Sequence, residues 1–497
     1  MQIFIHGFIY TGSETEWADA LVIDGAGMIL AVGSQEDLQR RFPNAITEDL
    51  NGQYLFPGFI DAHSHPAIFC REIRDPNFGN VRNWNIARSH IQEYIQAHPN
   101  RPWYVIFGWN EKKWGELTQD ILDTVTTDHP LFIIHESNQK GVINSIGIET
   151  IHDTEKRLRH TNGVIHEQDF RRVQKYTFPS YDEILTLLPR YLRQMRLNGT
   201  TTVHDMLVMS IDQLHAYITL DQAGLLPLEV IVYLHESLLH HPDIETYLKY
   251  TGKHLTVAGI KVFIDGTVRE HTALFHEPYS DGIGGTGLAN VSEETMQEMI
   301  EHAQELGLRD IAFHAIGDAG VTRAIDMIES YKKNQPDSPL QFRIEHAEFV
   351  RPADYSRLHD LGIRVVVELT NVLDRFRYAD RLGSRTKEIN RLKDLREAGV
   401  FIGTGTEDKG ITPMGAIAEA AKNDLLSAQR ISIHDGFELF LSAGATLSLM
   451  DQFIGSLAPG KRADMMLLSG NPFERGIQLQ SVTITQTWFS GIPQNIQ

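Results

Sequence analysis

Nine short apolar runs, at 103–109, 130–137, 199–206, 227–234, 258–266, 309–318, 342–350, 362–369 and 399–405, punctuate the interior of the chain. Between them lie stretches with helical spacing, such as 181–199 and 292–307, the second opened by Ser292 as an N-cap. Strands that recur after helices run parallel, with the helices packed outside. The alternation therefore predicts either an open doubly wound sheet or a closed (β/α)8 barrel. No Gly-x-Gly-x-x-Gly phrase follows an early strand, which leaves the dinucleotide-binding version of the open sheet without support.

The two ends read differently. Residues 3–10, 18–25, 28–34 and 46–56, and again 463–470 and 481–491, are β-rich and broken by Gly and Asn turns. We expect residues 1–56 and 453–497 to pair into one small β-sandwich, with the barrel formed by 57–452 and an insertion around 66–115. The start, MQIFIHGFIYTG, lacks the basic lead, apolar core and cleavage site of a signal peptide, and no run of about 18 apolar residues occurs. A cytoplasmic location without a membrane association is the expectation. The formal charge of −20 argues against nucleic acid and anionic lipid, so the expected partner is a small-molecule substrate. Cys70 is the sole cysteine, which excludes an intrachain disulfide and any multi-cysteine metal site.

That leaves 23 histidines to explain. His63 and His65 end an apolar strand, Phe59-Ile60-Asp61-Ala62-His63-Ser64-His65, and residues i and i+2 of a strand share one face. Two neutral imidazoles there can reach one divalent ion. His314, His346 and Lys261 sit at or near the ends of later strands. A lysine inside an apolar strand must be paired, shifted in pKa or chemically modified, because an unpaired buried ammonium costs several kcal/mol.

In combination these phrases resemble the amidohydrolase superfamily, in its amidohydrolase-3 group of N-substituted formamide deformylase and YtcJ-like hydrolases. The likeness runs from Pro57-Gly58-Phe59-Ile60-Asp61-Ala62-His63-Ser64-His65 through Gly108-Trp109-Asn110-Glu111-Lys112-Lys113-Trp114. It continues through Lys261 to Gly266, Glu277-Pro278-Tyr279-Ser280-Asp281, His314-Ala315-Ile316-Gly317-Asp318 and Arg343-Ile344-Glu345-His346-Ala347. It closes at Gly455-Ser456-Leu457-Ala458-Pro459-Gly460-Lys461-Arg462-Ala463-Asp464. The resemblance implies a (β/α)8 TIM-type barrel with one or two divalent ions, zinc first and manganese or iron as alternatives. His63, His65, His314 and His346 would be ligands, with Lys261 as a carboxylated, bridging ligand. It also implies a metal-dependent amidohydrolase cleaving a non-peptide C–N bond, a linear amide or an N-acyl or N-formyl group, by metal-activated hydroxide. Relatives are often homodimers.

The chain departs from its relatives where they carry Gly-Ser-Asp after the eighth strand. Here Gly405-Thr406-Glu407-Asp408 offers Glu407 or Asp408 as the catalytic base. Gln139 stands five residues before Asn144 where relatives have histidine, and Glu368-Leu369-Thr370-Asn371 replaces Gln-Pro-x-His. Trp109, Asn110, Gln139, Asn144, His271, Glu368 and Asn371 are therefore the candidate substrate contacts, with packing as the alternative for Trp109. Loop residues Arg269 and Glu270 are further candidates for setting specificity. Asp61, Asp265 and Asp318 are candidate supports for the ligands, and His204-Asp205 is expected on the barrel rim. The competing readings are a degenerate homologue that binds a small molecule without turnover, and a hydrolase of cyclic amides, esters or carbamates on the same fold.

Overall fold

The computed structural model describes residues 1–13, 16–136, 140–151, 158, 160–407, 410–422 and 426–495. Two compact units emerge, one of residues 1–67 and 188–497, the other Ile68–Leu187.

In the first unit eight parallel strands follow one another in sheet order as well as in sequence: β1 (Phe59–Ser64), β2 (Thr200–Val208), β3 (Glu229–His235), β4 (Leu255–Phe263), β5 (Asp310–Ala315), β6 (Gln341–His346), β7 (Arg364–Glu368) and β8 (Ile402–Gly405). Helices such as Ile211–Gln222, Glu293–Glu305 and Asp318–Asn334 separate them. Ser292 does cap the helix that follows it, its Oγ accepting the Thr295 N–H at 3.2 Å.

What turns this sheet into a barrel is the approach of β8 to β1. The Glu407 N–H donates to the His63 carbonyl at 2.8 Å. Asp61, buried on β1, accepts the Thr406 N–H at 3.0 Å on Oδ1 and the Thr406 hydroxyl at 2.5 Å on Oδ2. A side chain at Gly405 would meet the His63 backbone nitrogen at 2.4 Å, so only glycine lets the strands come this close. The eight strands form a closed (β/α)8 barrel.

Two further sheets belong to this unit. Strand Tyr54–Pro57 pairs antiparallel with Met465–Leu468, which carries Ile484–Phe489 and then Ile492–Asn495. Gln2–Ile5 lies between Ala20–Ile23 and Ile46–Asp49 in a separate four-stranded sheet. Side chains from both ends of the chain share a core that includes Phe4, Leu21, Leu55, Met465 and Trp488, with Phe4 edge-on to Trp488 at 5.5 Å. Burying side chains of this size contributes about 1.5–3 kcal/mol each.

The second unit contains the apolar runs at 103–109 and 130–137, which are not barrel strands. Tyr104–Trp109 pairs parallel with Leu131–His135, and Lys140–Ile143 and Val164–His166 extend the sheet antiparallel. The insertion expected around 66–115 therefore continues to Leu187, because the second run pairs with the first instead of joining the barrel. Among the described residues no helix is long and apolar enough to cross a membrane.

The seam carries a test. Asp61→Ala removes a buried carboxylate that accepts the Thr406 N–H and hydroxyl, and should lower unfolding free energy by about 2–4 kcal/mol in a urea titration. A midpoint unchanged from wild type would show that the barrel closes without this clasp.

Candidate metal centre

The C-terminal ends of the barrel strands bring together residues far apart in sequence. One ring nitrogen each of His63 (β1) and His346 (β6) and a carboxylate oxygen of Glu407, just beyond β8, lie within 4.8 Å of one another. The His65 ring centre lies 5.2 Å from that of His63, and the His346 ring centre 4.8 Å from it. His314, at the end of β5, packs on His346 at 4.5 Å between ring centres, and its Nε2 lies 3.3 Å from the Gly266 carbonyl.

Adjacent residues of a flat strand point to opposite faces, yet both Glu345 and His346 face this cluster. The backbone reconciles them: His346 and Ala347 have φ of 70° and 41°, in the left-handed region that bulky residues avoid. Glu407 has φ of 53°. Such conformations cost on the order of 1–3 kcal/mol each and concentrate at functional sites.

His63 and His65 are held in their neutral form. Burial, with Lys261 close by, holds His63 well below its ordinary pKa, and the same causes push His65 down to about 3. The His63 Nδ1–H therefore donates to Glu345 Oε2, at 2.5 Å, as a neutral imidazole bonded to a carboxylate. Burial opposes the Glu345 charge, but the Arg343 guanidinium and Lys261 hold its carboxyl below the usual range. His63 Nε2, on the other side of the ring, is buried and has no hydrogen-bond partner among the described residues. An orphaned imidazole nitrogen facing a second histidine and a carboxylate fits a divalent metal ion.

Lys261 is 1% exposed on β4 and lies 5.8 Å from the ring centre of Phe263. Burial pushes its amine down to about 8, while Glu345, Glu368 and Glu407 pull it up. Asp265 sits behind His314, its two oxygens accepting the N–H groups of Leu274, Ile316 and Gly317 at 2.9–3.0 Å. It thereby ties the loop after β4 to the chain that leaves His314, and burial raises its carboxyl to about 7. Asp318 accepts the His276 N–H at 2.9 Å, further along the same loop.

Other candidates have different surroundings from those expected. Glu368 is fully buried and Oε2 accepts from His346 Nδ1 at 3.1 Å and Asn371 Nδ2 at 2.7 Å; Asn371 also donates to Glu348. Neither is an open pocket-lining group. His271 bonds Asp281 at 2.7 Å, and Arg269 pairs with Asp374 at 3.3 Å. In the second unit, Trp109 is wholly buried with its indole N–H on the Gly115 carbonyl at 3.0 Å. Asn110 caps the turn that follows and donates to Glu136. Asn144 spends its amide on the backbone of Leu131, Gly147, Thr126 and His129, a purely local clasp. Gln139 and Asp408 lie outside the described residues.

His204 is not on the rim. It lies inside the barrel, Nδ1 accepting from Arg343 at 3.1 Å and Nε2 bonding Ser448 at 2.8 Å, so both ring nitrogens are spent. Arg343 and Glu345 are the site residues that sequence reasoning missed. Their signal was available: two opposite charges at i and i+2 on an otherwise apolar strand must face inward together and pair.

Residues 47–493 match the profile of the Amidohydrolase family, in its Amidohydro_3 form. The chain belongs to that family, and is an enzyme of the hydrolase class. It is similar to Protein LONG AFTER FAR-RED 3 of Arabidopsis thaliana, 26% identical over 98% of this chain and 90% of that one. It is also similar to N-substituted formamide deformylase of Arthrobacter pascens, 21% identical over 96% and 94% of the two chains. A solved metal-dependent hydrolase, otherwise uncharacterised, from Pyrococcus horikoshii superposes with a TM-score of 0.85 at 25% identity, covering 96% of this chain and 99% of its own.

Arg343→Ala leaves the fully buried Glu345 without its guanidinium partner. Breaking such a pair should cost about 3–5 kcal/mol of stability by denaturant unfolding. A loss below about 1 kcal/mol would mean that Glu345 is neutral or paired elsewhere.

Proposed function

We propose that this enzyme hydrolyses the C–N bond of a small linear amide, of the N-acyl or N-formyl type, at a divalent metal centre held by His63, His65, His314, His346 and a carboxylated Lys261. The observation that carries the reading is the convergence of His63, His346 and the Glu407 carboxylate, together with a buried His63 ring nitrogen that has no hydrogen-bond partner among the described residues. The likeness to N-substituted formamide deformylase supports the linear-amide substrate. Zinc suits a predominantly imidazole site, with manganese and iron as alternatives.

A bound divalent ion would lower the pKa of water towards about 7 and polarise the substrate carbonyl. The chain's own contribution is proton handling and geometry. Glu407 takes the proton released as water adds to the carbonyl carbon, and returns it to the amine nitrogen as the C–N bond breaks. The products are a carboxylic acid and an amine, the acid's proton passing on to the amine to leave carboxylate and ammonium, and Glu407 ends as it began. Its left-handed backbone, with the N–H held by the His63 carbonyl, fixes the carboxylate against the cluster. Compared with aspartate, glutamate adds a methylene, so the backbone must compensate to keep the carboxylate in register.

Lysine carboxylation requires the neutral amine to attack carbon dioxide, forming the N–C bond and releasing a proton. An ordinary lysine is neutral to about one part in 3,000 at pH 7. With the amine at about 8, that share becomes roughly a tenth at pH 7 and nine tenths at pH 9.

Elemental analysis of the purified protein should find at least one divalent ion per chain; none would overturn the metal-centre reading. On a panel of N-formyl and N-acetyl amines, Glu407→Gln should lower kcat by about 100–10,000-fold with Asp408→Asn near wild type. The reverse pattern would move the base to Asp408, and a metal-loaded protein that turns over no amide, ester or cyclic amide would leave the binding-only alternative. The carbamate predicts a 13C signal after loading metal-free protein with labelled bicarbonate and zinc, absent in Lys261→Met, with a loading rate per dissolved carbon dioxide that rises between pH 7 and 9. Absence of the signal from wild type would remove it.

A further inference from the structure

We propose that Glu345 and Glu368 are paired positioning residues, each accepting Nδ1–H from one site histidine so that His63 and His346 both present Nε2 to the same ion. The inference rests on the metal-centre reading and extends it to residues that touch neither ion nor substrate. Both carboxylates are fully buried. Glu345 takes His63 at 2.5 Å and Glu368 takes His346 at 3.1 Å. An ionised carboxylate has only acceptors, so each ring nitrogen facing it must carry the proton, and the tautomer is fixed.

Each carboxylate is itself held. Arg343 grips Glu345 through two nitrogens, with its Nη2 at 3.0 Å from Oε2. Asn371 donates to Glu368 at 2.7 Å, and Asn390 donates to the Glu368 carbonyl at 3.0 Å. The two devices also meet. Glu368 Oε1 has no hydrogen-bond partner among the described residues and stands 3.8 Å from His63 Nδ1, so Glu368 lies behind both rings. A substrate-contacting side chain would leave an oxygen open to the pocket; this one is closed off between two imidazoles, Asn371 and the end of β7.

A near-isosteric glutamine at position 368 is informative. An amide oxygen can accept the same N–H, so glutamine would preserve the tautomer while removing a negative charge from behind the ligand. The carboxylate makes the imidazole a stronger donor. The substitution thus separates two contributions of one residue, orientation and charge.

The test compares wild type, Glu368→Gln and Glu368→Met, all full-length, because Glu345 variants also break the Arg343 pair and can fail to fold. Zinc affinity is read by competition with a chelator, and thermal unfolding of the metal-free proteins serves as the control for structure. The 15N shifts of His346, assigned by difference with His346→Gln, report its tautomer without metal. Glu368→Met should weaken zinc binding by about 10–100-fold and give a mixed tautomer. Glu368→Gln should keep the Nδ1–H tautomer and fall between the two in affinity. A Met variant with wild-type affinity and an unchanged 15N signature would overturn the proposal, as would an affinity loss matched by loss of the metal-free fold. Wild type that binds no zinc would sink the metal-centre reading instead, while the tautomer comparison would still decide the positioning claim.

Discussion

A buried ion pair, Arg343 with Glu345, sits where the barrel core becomes the site. The Arg343 guanidinium reaches the carbonyl of Ala62 at 2.8 Å, next to His63 in the chain, and grips the carboxylate that holds the His63 ring. Its remaining nitrogen contacts His204 on β2 and Tyr233 on β3. Tyr233 donates to Asp310, which also accepts from Arg364 at 2.6 Å. The barrel interior is thus a connected polar layer. Hydrophobic residues of similar volume would often be as stable or more so, since desolvating charges is expensive. What the polar layer supplies is direction: each member fixes the rotamer of the next, ending at an imidazole whose orientation matters.

The same coupling joins closure of the fold to the chemistry. Asp61 binds Thr406 while the next residue, Glu407, bonds the His63 carbonyl. The contacts that bring β8 against β1 are therefore those that set the distance from Glu407 to the first histidine. Strain at Glu407 and His346 is tolerated because such contacts over-determine both positions.

Much of this was legible in the sequence. The strand–helix alternation specified parallel strands, and the resemblance chose the closed form; His63, His65, Lys261, His314 and His346 all end on strands of one barrel. What escaped was whatever depended on pairing partners. The runs at 103–109 and 130–137 look like barrel strands because apolar periodicity reports burial and not which neighbour provides it. Glu368 and Asn371 were assigned to the pocket from their place at a strand end. Only the neighbouring His346 ring reveals that Glu368 faces inward to a histidine, with Asn371 bonded to that same carboxylate. His204 was placed one level too high, since nothing local to Thr200–Val208 tells rim from interior. Arg343 was overlooked for the converse reason: a charge in an apolar strand was noticed at Lys261, where it lacked a sequence partner, and passed over where the partner stood two residues away.

Charge balance then bears on how many ions the site would hold. Around the buried Lys261 stand one further basic group, Arg343, and the carboxyl groups of Glu345, Glu368 and Glu407, one acidic group more than basic. A single divalent ion reverses that excess to one positive charge. Carboxylation of Lys261, as proposed, turns a cation into an anion and shifts the site by two negative charges, the amount one more divalent ion supplies. Glu368 pushes in the same direction, since with glutamine there the site would carry one negative charge fewer. In a buried environment, where uncompensated charge is costly, the proposed carboxylation and a second ion would each offset the charge the other brings.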